Sequence, residues 1–309
     1  MIVTVTLNPA IDRTITISDF KMNEVNRVIS AREDIGGKGV NVSKVISLLG
    51  GNTTAMGFAG GKGLRRMKLF LDKQGIMADF VDTDNEVRTN IKIVDPIKNT
   101  NTDINDTGIA VEPGYITQLR KKLQKYMEDA AYIVLSGSAP PGVEKDIYQT
   151  LIRSMPSVRF VLDAEGELLR QGIKASPFLI KPNAEELVST FGVALSSENE
   201  MIAVTKKLIT KYNVNMALVS MGSKGSLLIS DTFVYKAQPV KVDVKSTASA
   251  GDFMLGAFIY HYSQTENAEE SLRYGAACGT LGVTTVGTAL FPREYILPTS
   301  EKIFIEKIK

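Results

Sequence analysis

The feature that most constrains this chain is a repeated change of hydrophobic period. Short β-branched runs alternate with stretches whose apolar residues recur at helical spacing. "MIVTVTL" (1–7), "TTAMGFA" (53–59) and "ADFVDT" (78–83) read as strands, while 39–50 and 63–75 read as helices. The pattern resumes with a helix at 116–129, a strand at 131–137, a helix at 144–154 and a strand at 159–164. A helix at 165–172, a strand at 177–183, helices at 184–191 and 197–212 and a strand at 216–222 follow. This alternation predicts an α/β fold, with a mostly parallel central sheet flanked by helices on both faces.

Two stretches break the rhythm. "RTITIS" with "RVISARE" (within 13–33) and "RTNIKIVD" (within 86–110) alternate at period two with no helix between them. They predict a small β-sheet standing off the main one as a lid. A hairpin-like stretch follows at 225–238. With no repeat, low-complexity segment or linker, residues 1–309 read as one domain with a lid.

Open parallel sheets bind ligands at the carboxyl ends of their strands. The polar segments "LNPAID", "LSGSAPPG", "IKPNAEE" and "VSMGSKG" all fall just after strands, which predicts that they share one rim. In "DIGGKGVNVS" (34–43), Gly36, Gly37 and Gly39 admit a ligand close to the backbone, and Lys38 adds a full charge at a helix start. That combination suits a phosphate or a polar sugar group. "TLNPAID" places Asn8 and Asp12 at the end of the first strand, where a carboxylate can accept from two vicinal hydroxyls or serve as a turn residue.

Asn183 and Glu186 stand at i, i+3 in a first helical turn, the spacing of a capping box and also of a hydrated magnesium site. "VSMGSKG" reads as the floor of a nucleotide pocket or as a tight hairpin. In "STASAGDFMLGAF" (246–258), backbone amides from Ser249 to Asp252 would point out of a helix start toward an anion. Asp252 there is either a general base kept ionised by the helix dipole or part of an ordinary helix cap.

Bulk properties narrow the function classes. Lys and Arg number 36 and Asp and Glu 34, for a net charge of +2, so nothing electrostatic points to nucleic acid or an anionic membrane. Neither a Walker A pattern nor a G-x-G-x-x-G occurs. Cys278 stands alone, which excludes an intrachain disulfide and predicts a buried thiol in a reducing compartment. His261 is the single histidine, expected as a capping or surface residue near a helix end. The N-terminus lacks a basic segment followed by an apolar run, and cytoplasmic location is the default expectation.

Taken together, "TLNPAID", "GGKGVNVS", "SGSAPPGV", "IKPNAEEL" and "VSMGSKGSLL" resemble the ribokinase-like (phosphofructokinase-B-type) carbohydrate kinase family. The likeness is to its hexose-phosphate branch, which contains 1-phosphofructokinase and tagatose-6-phosphate kinase; "AGD" marks the wider family. The resemblance implies ATP- and Mg2+-dependent phosphoryl transfer to a hydroxyl of a ketohexose phosphate, with Asp252 as base. It implies the backbone of Ser249, Ala250 and Gly251 as anion hole. Asp12, Gly37, Lys38, Asn41, Arg88 and Ser138 are implied to hold the sugar phosphate. Lys181, Asn183, Ser220, Gly222 and Gly225 would sit at the nucleotide, with Glu186 at the metal, through water.

A homodimer through the lid is also implied. The alternatives are a kinase for a neutral sugar or nucleoside, and a non-catalytic sugar-phosphate sensor. One departure is visible: Ser249 stands where the family carries a glycine, which would strain a backbone requiring positive φ.

Overall fold

In the computed structural model, which describes residues 1–309, β1 (Ile2–Thr6) is buried along its whole length, as a strand covered on both faces must be. After it come β2 (Ala10–Thr16), β3 (Ser30–Gly36), α1 (Lys38–Leu48), β4 (Thr53–Gly60), α2 (Gly61–Lys73), β5 (Met77–Ala78) and β6 (Val81–Thr83). The middle of the chain forms β7 (Arg88–Asp95), β8 (Thr100–Ile104), α3 (Pro113–Gln124), β9 (Tyr132–Ser136), α4 (Ile147–Ser154), β10 (Phe160–Asp163) and α5 (Gly166–Gly172). Then follow β11 (Leu179–Ile180), α6 (Ala184–Phe191), α7 (Glu198–Tyr212), β12 (Met216–Ser220), β13 (Ser226–Ile229) and β14 (Val234–Ala237). The chain closes with α8 (Ala250–Thr265), α9 (Ala268–Val283), α10 (Ile296–Ser300) and β15 (Ile305–Lys307).

The main sheet runs in the order β15-β14-β13-β12-β11-β10-β9-β1-β4-β5, with β6 also paired to β4. It is parallel from β5 to β12; the last three strands join antiparallel, so the 225–238 hairpin extends this sheet. The stretch expected as one strand at 78–83 is two short pieces, β5 and β6, each paired with β4. Side chains alternate between two cores. Val3, Val5, Ile133 and Leu135 face α3 to α7, while Ile2, Val134 and Val161 face α1, α8 and α9. Both faces are therefore helix-covered, as the alternating sequence requires. No helix is long and apolar enough to cross a membrane.

The lid is a separate four-stranded sheet in the order β3-β2-β7-β8. Its first two strands reach further than expected, to Ala10 and Gly36, and this moves Asp12. Asp12 does not end β1; it lies within β2, so this carboxylate belongs to the lid and not to the rim of the main sheet.

Cys278 is buried in α9, and that burial pushes its thiol up to about 12, which suits a core residue. His261 is neither a cap nor a free surface residue. Its Nδ1 lies 2.9 Å from Ser271 Oγ and its ring stacks on Tyr274 at 4.4 Å, so it joins α8 to α9.

One glycine shows how tightly β1 and β4 pack. Gly57 has φ +148°, and a Cβ there would lie 1.8 Å from the Thr6 carbonyl oxygen. Gly57→Ala is expected to destabilise the protein by more than about 1 kcal/mol, since both the backbone region and the space are wrong for alanine. Urea unfolding followed by circular dichroism measures this as a lower midpoint.

Candidate active site

The carboxyl ends of β1, β9, β10, β11 and β12 form one rim, and two helix starts meet it. α1 begins behind β1: Val40 donates its backbone N–H to Thr6 Oγ1 at 3.1 Å, and a Cβ on Gly39 would lie 2.6 Å from that oxygen. α8 begins beside Lys181, whose Nζ would be 3.3 Å from a Cβ on Gly251. Small residues at these two places let both helix starts close on the rim.

Ser249 precedes α8 with φ −119° and ψ 4°. This is not a left-handed conformation, so serine in place of glycine carries no backbone strain here. Its hydroxyl does not cap the helix; it lies 3.4 Å from the Gly287 carbonyl oxygen. The backbone amides of Gly251 and Asp252 consequently meet no backbone or side-chain acceptor. They remain free donors at the positive end of a 16-residue helix, the arrangement that suits an anion.

Asp252 is buried in the first turn of α8 and accepts a hydrogen bond from Asn41 Nδ2 at 2.9 Å. Asn41 thus touches the carboxylate itself. Burial pushes the Asp252 carboxyl up to about 7, with the nearby Asp163 charge adding to the effect. Lys38, the Asn41 amide and Lys181 work the other way. The expectation of a carboxylate kept ionised by the helix dipole is therefore revised, because burial acts against ionisation here.

The sequence reading passed over Asp163, the last residue of β10. Its side chain is fully buried, and its Oδ1 lies 3.1 Å from Lys181 Nζ and 3.5 Å from Lys38 Nζ. The two ammonium groups overcome its burial and hold its carboxyl below the usual range, while Asp163 raises the basicity of Lys38. The Lys38 Nζ also lies 3.7 Å from Glu186 Oε1. Lys38, Lys181, Asp163, Glu186 and Asp252 therefore form one charged cluster. A carboxylate ending an otherwise apolar strand at this rim was the available signal for Asp163. A second omission, Lys44, sits at i+4 from Val40 on the buried stripe of α1.

On the lid side, Asp12 accepts a 2.9 Å hydrogen bond from Asn90 Nδ2, and burial raises its carboxyl against the pull of Asn90, Lys44 and Arg88. A Cβ on Gly36 would lie 1.9 Å from Asp12 Oδ2, so a side chain there would have to displace the Asp12 carboxylate. Gly37 has φ +120° and turns the chain into α1. Arg88 donates through Nε to the Asn8 carbonyl at 3.2 Å and through Nη1 to the Asp106 carbonyl at 2.6 Å. Arg88 and Ser138 line a cavity of about 470 Å³ together with Asn8, Thr107 and Lys145. Gly137, next to Ser138, backs onto the Lys38 side chain.

Asn183 and Glu186 do form a reciprocal capping box: Asn183 Oδ1 accepts from the Glu186 amide at 2.7 Å, and Glu186 Oε2 from the Asn183 amide at 2.9 Å. The capping reading of their spacing is therefore correct, and it leaves Glu186 Oε1 facing Lys38. Asn183 pairs with Ser220 in an isolated parallel bridge, which places the loop after β12 beside Lys181. In that loop Gly222 (φ +57°) faces open space, whereas Gly225 (φ +91°) is pressed against the Ala237 carbonyl oxygen. Gly225 thus shapes the turn into β13.

Residues 5–294 match the family model described as pfkB family carbohydrate kinase. The chain is 34% identical over 282 residues to a 1-phosphofructokinase of Borreliella burgdorferi, covering 91% of each chain. It is 31% identical to a 1-phosphofructokinase of Vibrio cholerae, over 99% of this chain and 97% of that one. Among solved structures, phosphofructokinase-2 from Escherichia coli in complex with potassium superposes with a TM-score of 0.92 at 25% identity. That match covers 97% of this chain and 98% of the other.

Removing Asp163 tests the cluster. Asp163→Asn leaves Lys181, itself buried, without its countercharge, and is expected to cost about 3–5 kcal/mol in a denaturant titration. A loss below about 1 kcal/mol would mean that the pair does not hold the rim.

Proposed function

The chain belongs to the pfkB family of carbohydrate kinases, and on that premise we propose that it transfers the terminal phosphoryl group of ATP to a hydroxyl of a ketohexose phosphate, as a 1-phosphofructokinase does. The observation that carries this reading is the pairing of Asp252 with two unpartnered amides in one helical turn.

The chemistry follows from that turn. The substrate hydroxyl oxygen attacks the terminal phosphorus, its proton passes to the Asp252 carboxylate, and the bond to the bridging oxygen breaks to release ADP. The Gly251 and Asp252 amides, with the backbone from Ser249, face charge that spreads over the transferred oxygens, which is the larger part of catalysis in such transfers. A carboxyl titrating near 7 suits a base that must accept a proton and later return it to solvent. Asp163 keeps both lysines paired and Asp252 is left to titrate, a division of roles set by environment.

Lys181 carries positive charge suited to nucleotide phosphates, with Asn183, Ser220 and Gly222 on the nucleotide side, while Lys38 shares the Asp163 countercharge from the sugar-phosphate side. Asp12 and Asn41 fit sugar hydroxyls. Arg88 and Ser138, on their shared cavity, fit the substrate's own phosphate, for which the planar guanidinium is well shaped.

Magnesium fits the residues present as a largely hydrated ion. Asp163 Oδ2 is buried without a partner and Glu186 Oε1 is free of the capping box, while no three metal-ligating side chains converge. Such a donor set suits Mg2+ held by Glu186 through water and by phosphate oxygens. When bound, the ion would offset charge on the transferring phosphate.

The lid supports a homodimer. β8 is exposed throughout, and Val25, Ile29 and Ile104 are open to solvent, a surface that a second copy would cover. A cytoplasmic setting is consistent with the single unpaired thiol.

Turnover of ATP with fructose 1-phosphate, tagatose 6-phosphate and fructose 6-phosphate tests the proposal. Asp252→Asn is expected to lower kcat by about 10²-fold or more. The wild-type kcat/KM should rise with pH and level off above about 7, because the base must be ionised. Arg88→Ala should raise KM for the sugar phosphate about tenfold or more while KM for ATP holds, the loss of one charge-assisted contact. Unchanged turnover in Asp252→Asn would remove the base assignment. Tight binding of sugar phosphates without turnover would favour a sensor. Preference for an unphosphorylated sugar or nucleoside would overturn the substrate class.

A further inference from the structure

Lys44 is a fully buried lysine that the phosphoryl transfer does not use directly. Burial lowers its ammonium group to about 8; in that protonated form its Nζ has three protons and meets three acceptors, the Ile35 carbonyl oxygen in β3, Asn41 Oδ1 at 3.1 Å and Thr288 Oγ1 at 3.1 Å. Ile35 belongs to the lid, Asn41 to α1, and Thr288 to the segment following α9. An ammonium group only donates. Asn41 must therefore turn its amide oxygen toward Lys44, which leaves its Nδ2 facing Asp252 Oδ2 at 2.9 Å. An amide N–H directed at a carboxylate favours the ionised form of that carboxylate.

We propose that Lys44 is a positioning residue that locks the Asn41 amide in the orientation that donates to Asp252. The inference rests on Asp252 being the base. Without Lys44 the amide could reverse and accept a proton from a neutral Asp252 carboxyl, which would favour the inactive form. Lys44 thus ties the lid, α1 and the segment after α9 to one ammonium group, and reaches Asp252 through Asn41. The other charges in the neighbourhood are accounted for. Asp163 from β10, Lys38 from α1 and Lys181 from beyond β11 face Asp252. Asp34 and Arg32 from β3, Asp12 from β2 and Asp252 itself from α8 face Lys44. Apart from Asp252, none of them hydrogen-bonds the Asn41 amide.

The test is the pH dependence of kcat/KM in Lys44→Gln, Lys44→Arg, Asn41→Ala and the double variant Lys44→Gln with Asn41→Ala. Glutamine both donates and accepts, so it no longer dictates the amide. Lys44→Gln should move the acid limb up by about one pH unit and lower kcat/KM at pH 7 roughly fivefold, the size of one hydrogen bond to a charged group. Lys44→Arg, donor-only like lysine, should return the limb toward wild type. Adding Lys44→Gln to Asn41→Ala should move the limb no further, since the two act through one contact.

An unmoved limb in a folded Lys44→Gln protein, or fully additive shifts in the double variant, overturns the proposal. Should Lys44→Gln not fold, Lys44→Met replaces it, because methionine nearly matches lysine in length, offers no donor and leaves no unpaired buried charge. A limb that moves up in Lys44→Met then supports positioning, and an unmoved limb refutes it. If Asp252→Asn loses activity and the Lys44 variants keep their limb, only the Lys44 inference has failed.

Discussion

The structure depends on a carboxylate that water cannot reach. Asp163 ends a buried strand, and burial of an ionised group is unfavourable unless opposite charge meets it. Lys181 and Lys38 supply that charge from two other segments, one leaving β11 and one opening α1. Three pieces of chain, distant in sequence, are thereby held at one rim. The same charge acts on Asp252 from across the cluster, so one group both fixes the geometry and helps raise the Asp252 carboxyl.

Two sheets share the work. The main sheet carries the strand ends that carry Ser138, Asp163, Lys181 and Ser220 toward the rim, and the lid carries Asp12 and Arg88. The link between them is short: β1 ends at Thr6 and β2 begins at Ala10, with Asn8 between them accepting from Arg88 through its carbonyl. α1 is the common wall. Its start turns at Gly37, its Lys38 reaches Asp163, its Asn41 reaches Asp252, and its Lys44 reaches the lid. A single helix therefore couples the lid to the charged rim of the main sheet.

Much of this was legible in the chain itself. The alternation of strand and helix required a helix-covered parallel sheet, and the glycines and turn residues after each strand marked the rim. Asn183 and Glu186 read correctly as a capping box because capping depends on neighbours three residues apart, and no tertiary contact is needed to form it. Asp12 was misplaced by the same local reasoning. Nothing in "TLNPAID" says where one strand stops and the next begins, whereas the pairing of β2 with both β3 and β7 does.

What the sequence by itself determined is the architecture and the inventory of chemistry, because hydrophobic period and turn residues act over a few neighbours. What only the tertiary structure decided is ionisation and orientation. Ser249 proved unstrained once its backbone angles were known, the Asp252 carboxyl proved raised once its burial was known, and Asp163 and Lys44 acquired partners once the chain was folded. Charge and hydrogen-bond direction depend on distance through space and on excluded water, and neither is written in residue spacing.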